Sequence, residues 1–147
     1  MLKAWRMNYA FEPPERASVA ISGSEARFPV RRIFCVGRNY AEHIRELGND
    51  PNEQPLFFTK PADAVAENGA MLVYPANTSD WHHEVELVIA IGKAGAHIAE
   101  AAALDHVWGY GVGVDLTLRD RQAEAKKGGK PWDVAKAGDK SAPLSAL

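Results

Sequence analysis

The chain has 147 residues, 46% of them hydrophobic and 24% charged, with a formal net charge of −2. That is one domain or part of one, with the apolar share of a globular chain and no basic excess, so neither nucleic acid nor an anionic membrane is an expected partner. The single cysteine, Cys35, excludes an internal disulfide and a cysteine-built zinc site.

Residues 1–30 read as an N-terminal extension with one short strand, in which Val19 and Ile21 alternate with small residues. The stretch MLKAWRMNYAFEPPER lacks the apolar core of a signal peptide, and the longest apolar run, Leu87 to Ile91, is far too short to span a bilayer. A cytoplasmic location is the resulting expectation. Pro29 is suited to open the next strand, where it need not donate.

Residues 31–36 (RRIFCV) predict a strand stopped by Gly37. Asn39 as N-cap, Glu42 at the third position, Tyr40, Ile44 and Leu47 on one face and Gly48 behind them predict a helix over about 40–47. A short strand follows at 56–59. Residues 62–80 read as connecting loop with a strand near 71–74. HHEVELVIAI, at 82–91, is the clearest strand of the chain, closed by Gly92. Then come a helix over roughly 100–107 and a glycine-rich strand, WGYGVGVDL, at 108–116. Thr117 and Asp120 resemble a capping box for a helix to about 127, which Gly128–Gly129 ends before a loop over 130–143. A mixed sheet of these strands leaves edges unpaired and one face uncovered.

Glu84 and Glu86 are two apart in the 82–91 strand, so their carboxylates share a face with His82, while Val85, Leu87 and Ile89 point the other way, into a core. Two readings stand. The acids form a solvated outer face, or a divalent cation offsets their repulsion, with oxygen ligands favouring Mg²⁺, Mn²⁺ or Ca²⁺. His82 and His83 are not a zinc pair, because adjacent strand residues diverge. Asp115, at the end of the glycine-rich strand, is either a helix-capping acid or a third carboxylate of the same site. His43 and Glu46 are three apart on the predicted helix: a surface ion pair, or an imidazole oriented by a carboxylate to act as a general base. Lys60, Arg119, Gln122 and Lys136 are either surface groups or holders of an anionic substrate. Gly109, Gly111 and Gly113 imitate part of a dinucleotide fingerprint, but the strand continues past them and the third spacing is wrong. Cys35 reads as inert packing.

Four stretches together, RRIFCVGRNYAEHIRELG, FFTKPADAV, YPANTSDWHHEVELVIAIG and residues 108–143, resemble the fumarylacetoacetate hydrolase family, and within it the fumarylpyruvate hydrolase and acylpyruvase branch. The resemblance spans about Phe28 to Leu147. It implies an α+β fold, a mixed β-roll or β-sandwich with short peripheral helices, in a homodimer. Residues 31–147 would be the N-terminal part of a catalytic domain that in the family continues further, so the chain reads as truncated at its C-terminus. The resemblance implies Glu84, Glu86 and Asp115 as ligands of Mg²⁺ or Mn²⁺ (Ca²⁺ in a crystal). It implies His43 and Glu46 as the water-activating pair, Lys136 as a catalytic lysine, and Arg119, Gln122 and Lys60 as substrate-binding. The activity it implies is metal-dependent C–C hydrolysis of 2,4-diketo acids, fumarylpyruvate giving fumarate and pyruvate in gentisate-type aromatic catabolism. Alternatives are an oxaloacetate decarboxylase or tautomerase of the same family, or a truncated, non-catalytic association partner.

Overall fold

The computed structural model describes residues 8–37 and 54–147. The predicted helix over 40–47 lies outside them, as do His43 and Glu46. The first strands, β1 (Ser18–Ala20) and β2 (Arg27–Pro29), pair antiparallel with Val19 opposite Phe28. A second antiparallel pair joins β3 (Ile33–Gly37) to β4 (Leu56–Lys60), with Cys35 opposite Phe58.

The main sheet has four strands: β5 (Val65–Glu67), β6 (Trp81–Ile91), β7 (Val107–Leu118) and β8 (Ala142–Leu144). Their order is β5-β8-β7-β6, with β5 and β8 parallel and the other pairs antiparallel. Helices α1 (Arg119–Lys127) and α2 (Asp133–Lys136) follow β7, and 3₁₀ segments cover Ala62–Ala64 and Glu100–His106. The result is the expected α+β fold, rich in mixed sheet and carrying short helices. Among the described residues no helix is long and apolar enough to cross a membrane.

The β6/β7 ladder positions the site. Its register sets Glu84 opposite Asp115 and Glu86 opposite Gly113. Gly109, Gly111 and Gly113 lie inside β7, on the face that carries Asp115, so they are strand residues rather than a phosphate loop, and Gly111 and Gly113 are closely packed. A Cβ at Gly113 would lie 2.7 Å from Val88 Cγ2 and 2.8 Å from Leu144 Cδ2. Valine is stiff at χ1 and cannot turn away cheaply. Gly113→Ala is therefore expected to lower stability by about 1–3 kcal/mol in thermal unfolding. Gly109→Ala, with no atom within 4 Å of its Cβ, should be neutral or slightly stabilising.

Several local expectations are corrected. No strand forms near 71–74, where Met71 and Val73 are exposed; the short strand is β5 instead. The segment expected as a helix over 100–107 is 3₁₀, and it buries none of its residues, so no apolar stripe selects an α-helix there. Pro29 closes β2 rather than opening a strand. The loop over 130–143 contains α2 and the start of β8. Helix α1 begins at Arg119, not Thr117, because β7 extends to Leu118: Leu116 N donates to Ser141 O at 3.0 Å, and Thr117 is buried in the sheet.

Val85, Leu87 and Ile89 do not face a core. They form an exposed apolar face with Tyr110 and Val112 on β7, and Leu87 is 67% exposed. The alternation is as expected, but in the described sheet β6 is an edge strand. The deepest region is polar. Among the described residues Lys136 and Thr117 are the largest fully buried side chains, while the buried apolar set is small: four of its members are alanines between Ala64 and Ala135, with Ala142, Val19 and Leu116 completing it.

Candidate active site

Residues directly opposite in an antiparallel pair share a face, so the register stacks Glu84 beside Asp115, with Glu86 two residues along β6. Like charges so placed repel unless a cation intervenes. Lys136, at the end of α2, supplies one. Its ammonium donates to Glu84 Oε2 at 2.6 Å, Asp115 Oδ2 at 2.7 Å and Thr117 Oγ1 at 2.6 Å, using all three protons. Lys136 is 2% exposed.

Lys60, the last residue of β4, approaches from the other side. Its Nζ lies 2.9 Å from Asp115 Oδ1 and donates to Leu116 O at 3.1 Å and to Lys136 O. Burial pushes the Lys60 ammonium below the usual lysine value, with Asp115 opposing. Asp115 Oδ1 is buried and is held by the Lys60 ion pair without a well-aligned hydrogen bond.

Arg119, the first residue of α1, donates through Nη2 to Glu84 Oε1 and through Nη1 to Gln122 Oε1 at 2.5 Å. Its Nε–H donates to His82 Nδ1 at 3.4 Å, which leaves Nε2–H of that histidine to donate to Asp80 Oδ1 at 2.7 Å. Burial raises the Glu84 carboxyl, but the hydrogen bonds and charges of Lys136 and Arg119 outweigh it and hold the group below the ordinary value. Glu86 goes the other way. Burial and then the charges of Asp115 and Glu84 raise it, with Lys136 opposing.

Seven of the nine expected site residues therefore meet in one place: Lys60, Glu84, Glu86, Asp115, Arg119, Gln122 and Lys136. His43 and Glu46 lie outside the described residues. Asp115 is not a helix cap, and Lys60 and Lys136 are not surface cations. Among the described residues no three His, Cys, Asp or Glu side chains are placed to hold a metal ion, and the Lys136 ammonium stands between Glu84 and Asp115. The donor chemistry still suits a hard divalent cation: three carboxylates on one face, a buried Asp115 oxygen without a hydrogen bond, and a Glu86 crowded by like charge.

Thr117 was not singled out as a site residue. Its signal was parity, since in a strand it shares a face with Asp115. Cys35 is inert as expected: burial first, then the Asp115 charge, pushes its thiol up to about 11 against the opposing lysines, so little thiolate exists at neutral pH.

Asp120, expected in a capping box, instead pins the loop before β6. It accepts from Thr78 Oγ1 at 2.7 Å, Arg121 N at 2.8 Å and Ser79 N at 3.2 Å. The Thr78 hydrogen bond leads in holding its carboxyl below the usual aspartate value. A depressed folded-state value means a stability contribution present above the unfolded value and lost as pH falls towards the folded one. Asp120→Asn is therefore expected to lower the melting temperature at neutral pH, and the difference from wild type should vanish in acid, well below about pH 3.9. A gap that persists in acid would contradict this.

Comparison with known proteins decides the family. The family model described as fumarylacetoacetate (FAA) hydrolase C-terminal matches residues 32–147. The chain belongs to the fumarylacetoacetate hydrolase family. It is similar to the crystal structure of fumarylpyruvate hydrolase from Pseudomonas aeruginosa in complex with Mn²⁺ and pyruvate: TM-score 0.89, 51% identity, covering 95% of this chain and 62% of that one. Among curated relatives it is 47% identical to the mitochondrial oxaloacetate tautomerase FAHD1 of Mus musculus, over 80% of this chain and 53% of the relative. It is 44% identical to the oxaloacetate tautomerase YcgM of Escherichia coli, over 85% of this chain and 57% of the relative. The chain thus spans little more than half the length of the curated relatives it matches.

The mouse relative overturns the expected cytoplasmic location, since that FAHD1 is mitochondrial. The expectation rested on a missing apolar core, which bears on secretory signals only, since mitochondrial transit peptides are amphipathic.

Proposed function

We propose that the chain carries the acid–lysine centre of a divalent-metal-dependent hydrolase of 2,4-diketo acids, cleaving fumarylpyruvate to fumarate and pyruvate. The observation that carries this reading is the convergence of Glu84, Glu86 and Asp115 on one sheet face against buried Lys60 and Lys136. It is supported by the likeness to the Pseudomonas aeruginosa enzyme solved with Mn²⁺ and pyruvate.

Glu84, Glu86 and Asp115 would hold Mg²⁺ or Mn²⁺, which when bound supplies a Lewis acid to the oxygens of an oxo acid. Arg119, oriented by Gln122, presents a guanidinium for the carboxylate of the pyruvyl end. Lys136 holds a fixed, desolvated charge for the oxyanion that develops at C4. His43 and Glu46 are assigned to water activation on the family resemblance. Water adds to C4 and loses its proton to His43. The C3–C4 bond then breaks, and its electron pair leaves on C3 as the enolate of pyruvate, which is protonated to pyruvate. Lys60, implied by the family resemblance as substrate-binding, also positions Asp115.

The identity to oxaloacetate tautomerases from mouse and Escherichia coli favours a second reading, keto–enol interconversion of oxaloacetate at the same centre. Purified protein with Mn²⁺ is expected to remove the ultraviolet absorbance of fumarylpyruvate with equal yields of fumarate and pyruvate. Unchanged absorbance with folded protein contradicts the hydrolase. Faster equilibration of enol-oxaloacetate under those conditions selects the tautomerase, and self-association without either reaction selects a non-catalytic partner. His43→Ala is expected to lower turnover by about 10²–10⁴-fold with Mn²⁺ affinity unchanged.

A further inference from the structure

His82 shares the face of β6 that carries Glu84 and Glu86, yet the chemistry set out above gives it no part. Its two ring nitrogens are committed in opposite directions. Arginine is a donor only, so the contact from Arg119 Nε requires His82 Nδ1 to accept, and the ring proton stands on Nε2. Nε2–H then donates to Asp80 Oδ1 at 2.7 Å. The Asp80 carboxylate thus fixes the tautomer that Arg119 needs.

Asp80 reaches Arg119 by a second route. Its carbonyl accepts Arg119 N–H at 2.8 Å, which ties the start of α1 to the residue before β6. Asp80 is itself braced. Its N–H donates to Thr78 Oγ1 at 3.1 Å, and the N–H of Trp81, next in the chain, donates to the Tyr74 hydroxyl at 3.1 Å. Tyr74 packs edge-on against Trp81, with ring centroids 5.3 Å apart.

A guanidinium has five N–H groups. Arg119 commits one to His82 through Nε, one to Glu84 through Nη2 and one to Gln122 through Nη1. The remaining two lie one on each terminal nitrogen, so a carboxylate can be met only there. Glu84 is also a proposed metal ligand, which leaves His82 and Gln122 as the anchors that Arg119 does not share with the metal.

We infer that Asp80 and His82 are positioning residues for Arg119: together they hold its Nε–H and turn its terminal nitrogens to a ligand carboxylate. The inference rests on the proposed role of Arg119 as carboxylate holder and adds what keeps that side chain aimed.

The test pairs two readouts. One is nitrogen-15 NMR of the Arg119 Nε–H in metal-free protein, its signal assigned by its absence in Arg119→Lys. The other is calorimetric titration of pyruvate into the Mn²⁺-supplemented protein. His82→Leu is expected to speed exchange of the Nε–H with water and to weaken pyruvate, each about tenfold, the size of one hydrogen bond to a charged group. His82→Asn, whose amide oxygen can stand where Nδ1 stood, should restore most of both. Asp80→Ala should reproduce the loss in part, about threefold. His83→Leu, on the opposite face of β6, should change neither. In the Arg119→Lys background, which has no Nε–H, His82→Leu should weaken pyruvate no further. Unchanged exchange in His82→Leu overturns the inference, as does a pyruvate loss that His82→Asn fails to rescue or that persists in the Arg119→Lys background. The outcomes separate. A His82-dependent Nε–H in a protein that binds no pyruvate leaves the positioning in place and sinks the carboxylate-holding reading alone. Pyruvate bound equally by wild type and His82→Leu sinks the positioning alone.

Discussion

Lys136→Met is expected to lower the unfolding free energy by about 3–5 kcal/mol, the largest stability effect of any single substitution considered for this chain. Methionine replaces the lysine stem with little change in volume, so packing is nearly conserved and the loss is electrostatic. Glu84 and Asp115 then stand opposite each other without the charge between them, and Thr117 Oγ1 loses its donor at full burial. Adding Asp115→Asn removes one of the stranded charges and should restore part of the loss, giving a coupling well outside additivity. Denaturant unfolding of the wild type, the two single variants and the double variant measures it. A loss below about 1 kcal/mol, the size of an exposed ion pair, would show that Lys136 does not hold the acids together.

Asp115→Ala is expected to have the largest functional effect, lowering Mn²⁺ affinity about a hundredfold or more and taking turnover with it. Asp115 combines near-complete burial, a carboxylate oxygen free of hydrogen bonds and ion pairs to both buried lysines. Its removal also strands Lys60 and Lys136, so a second variant separates function from folding. Glu86→Gln leaves both lysine pairs intact and relieves the crowding of like charge. It should leave the metal-free protein as stable as the wild type or more stable by up to about 1 kcal/mol, while still weakening Mn²⁺ binding. Mn²⁺ titration alongside thermal unfolding checks both. Undiminished affinity in the two variants would remove the carboxylates from any metal role.

Much of this centre was legible in the sequence because strands have a period of two. HHEVELVIAI places both glutamates on one face without further information, and the apolar glycine-rich run ending in Asp115 marks a second strand. The register that sets Glu84 opposite Asp115 was not legible, because Gly92 to His106 separates the two strands and no short hairpin turn fixes their alignment. Nor was the burial of Lys136, which sits on a helix of four residues, too short for any periodic pattern. Thr117 and Asp120 misled because a local capping pattern competed with the pairing of β7 to β6, which runs through Leu118, and the tertiary pairing prevailed. The side of β6 carrying Val85, Leu87 and Ile89 was read as core because alternation separates two faces without saying which is covered.

The most direct measurement is electron paramagnetic resonance titration of Mn²⁺ with the wild-type chain and with Glu84→Gln, pyruvate present. The account predicts that one equivalent of wild-type chain quenches the free Mn²⁺ signal and that the folded variant leaves it standing. Free Mn²⁺ beside folded wild-type protein, or equal quenching by both, would contradict it.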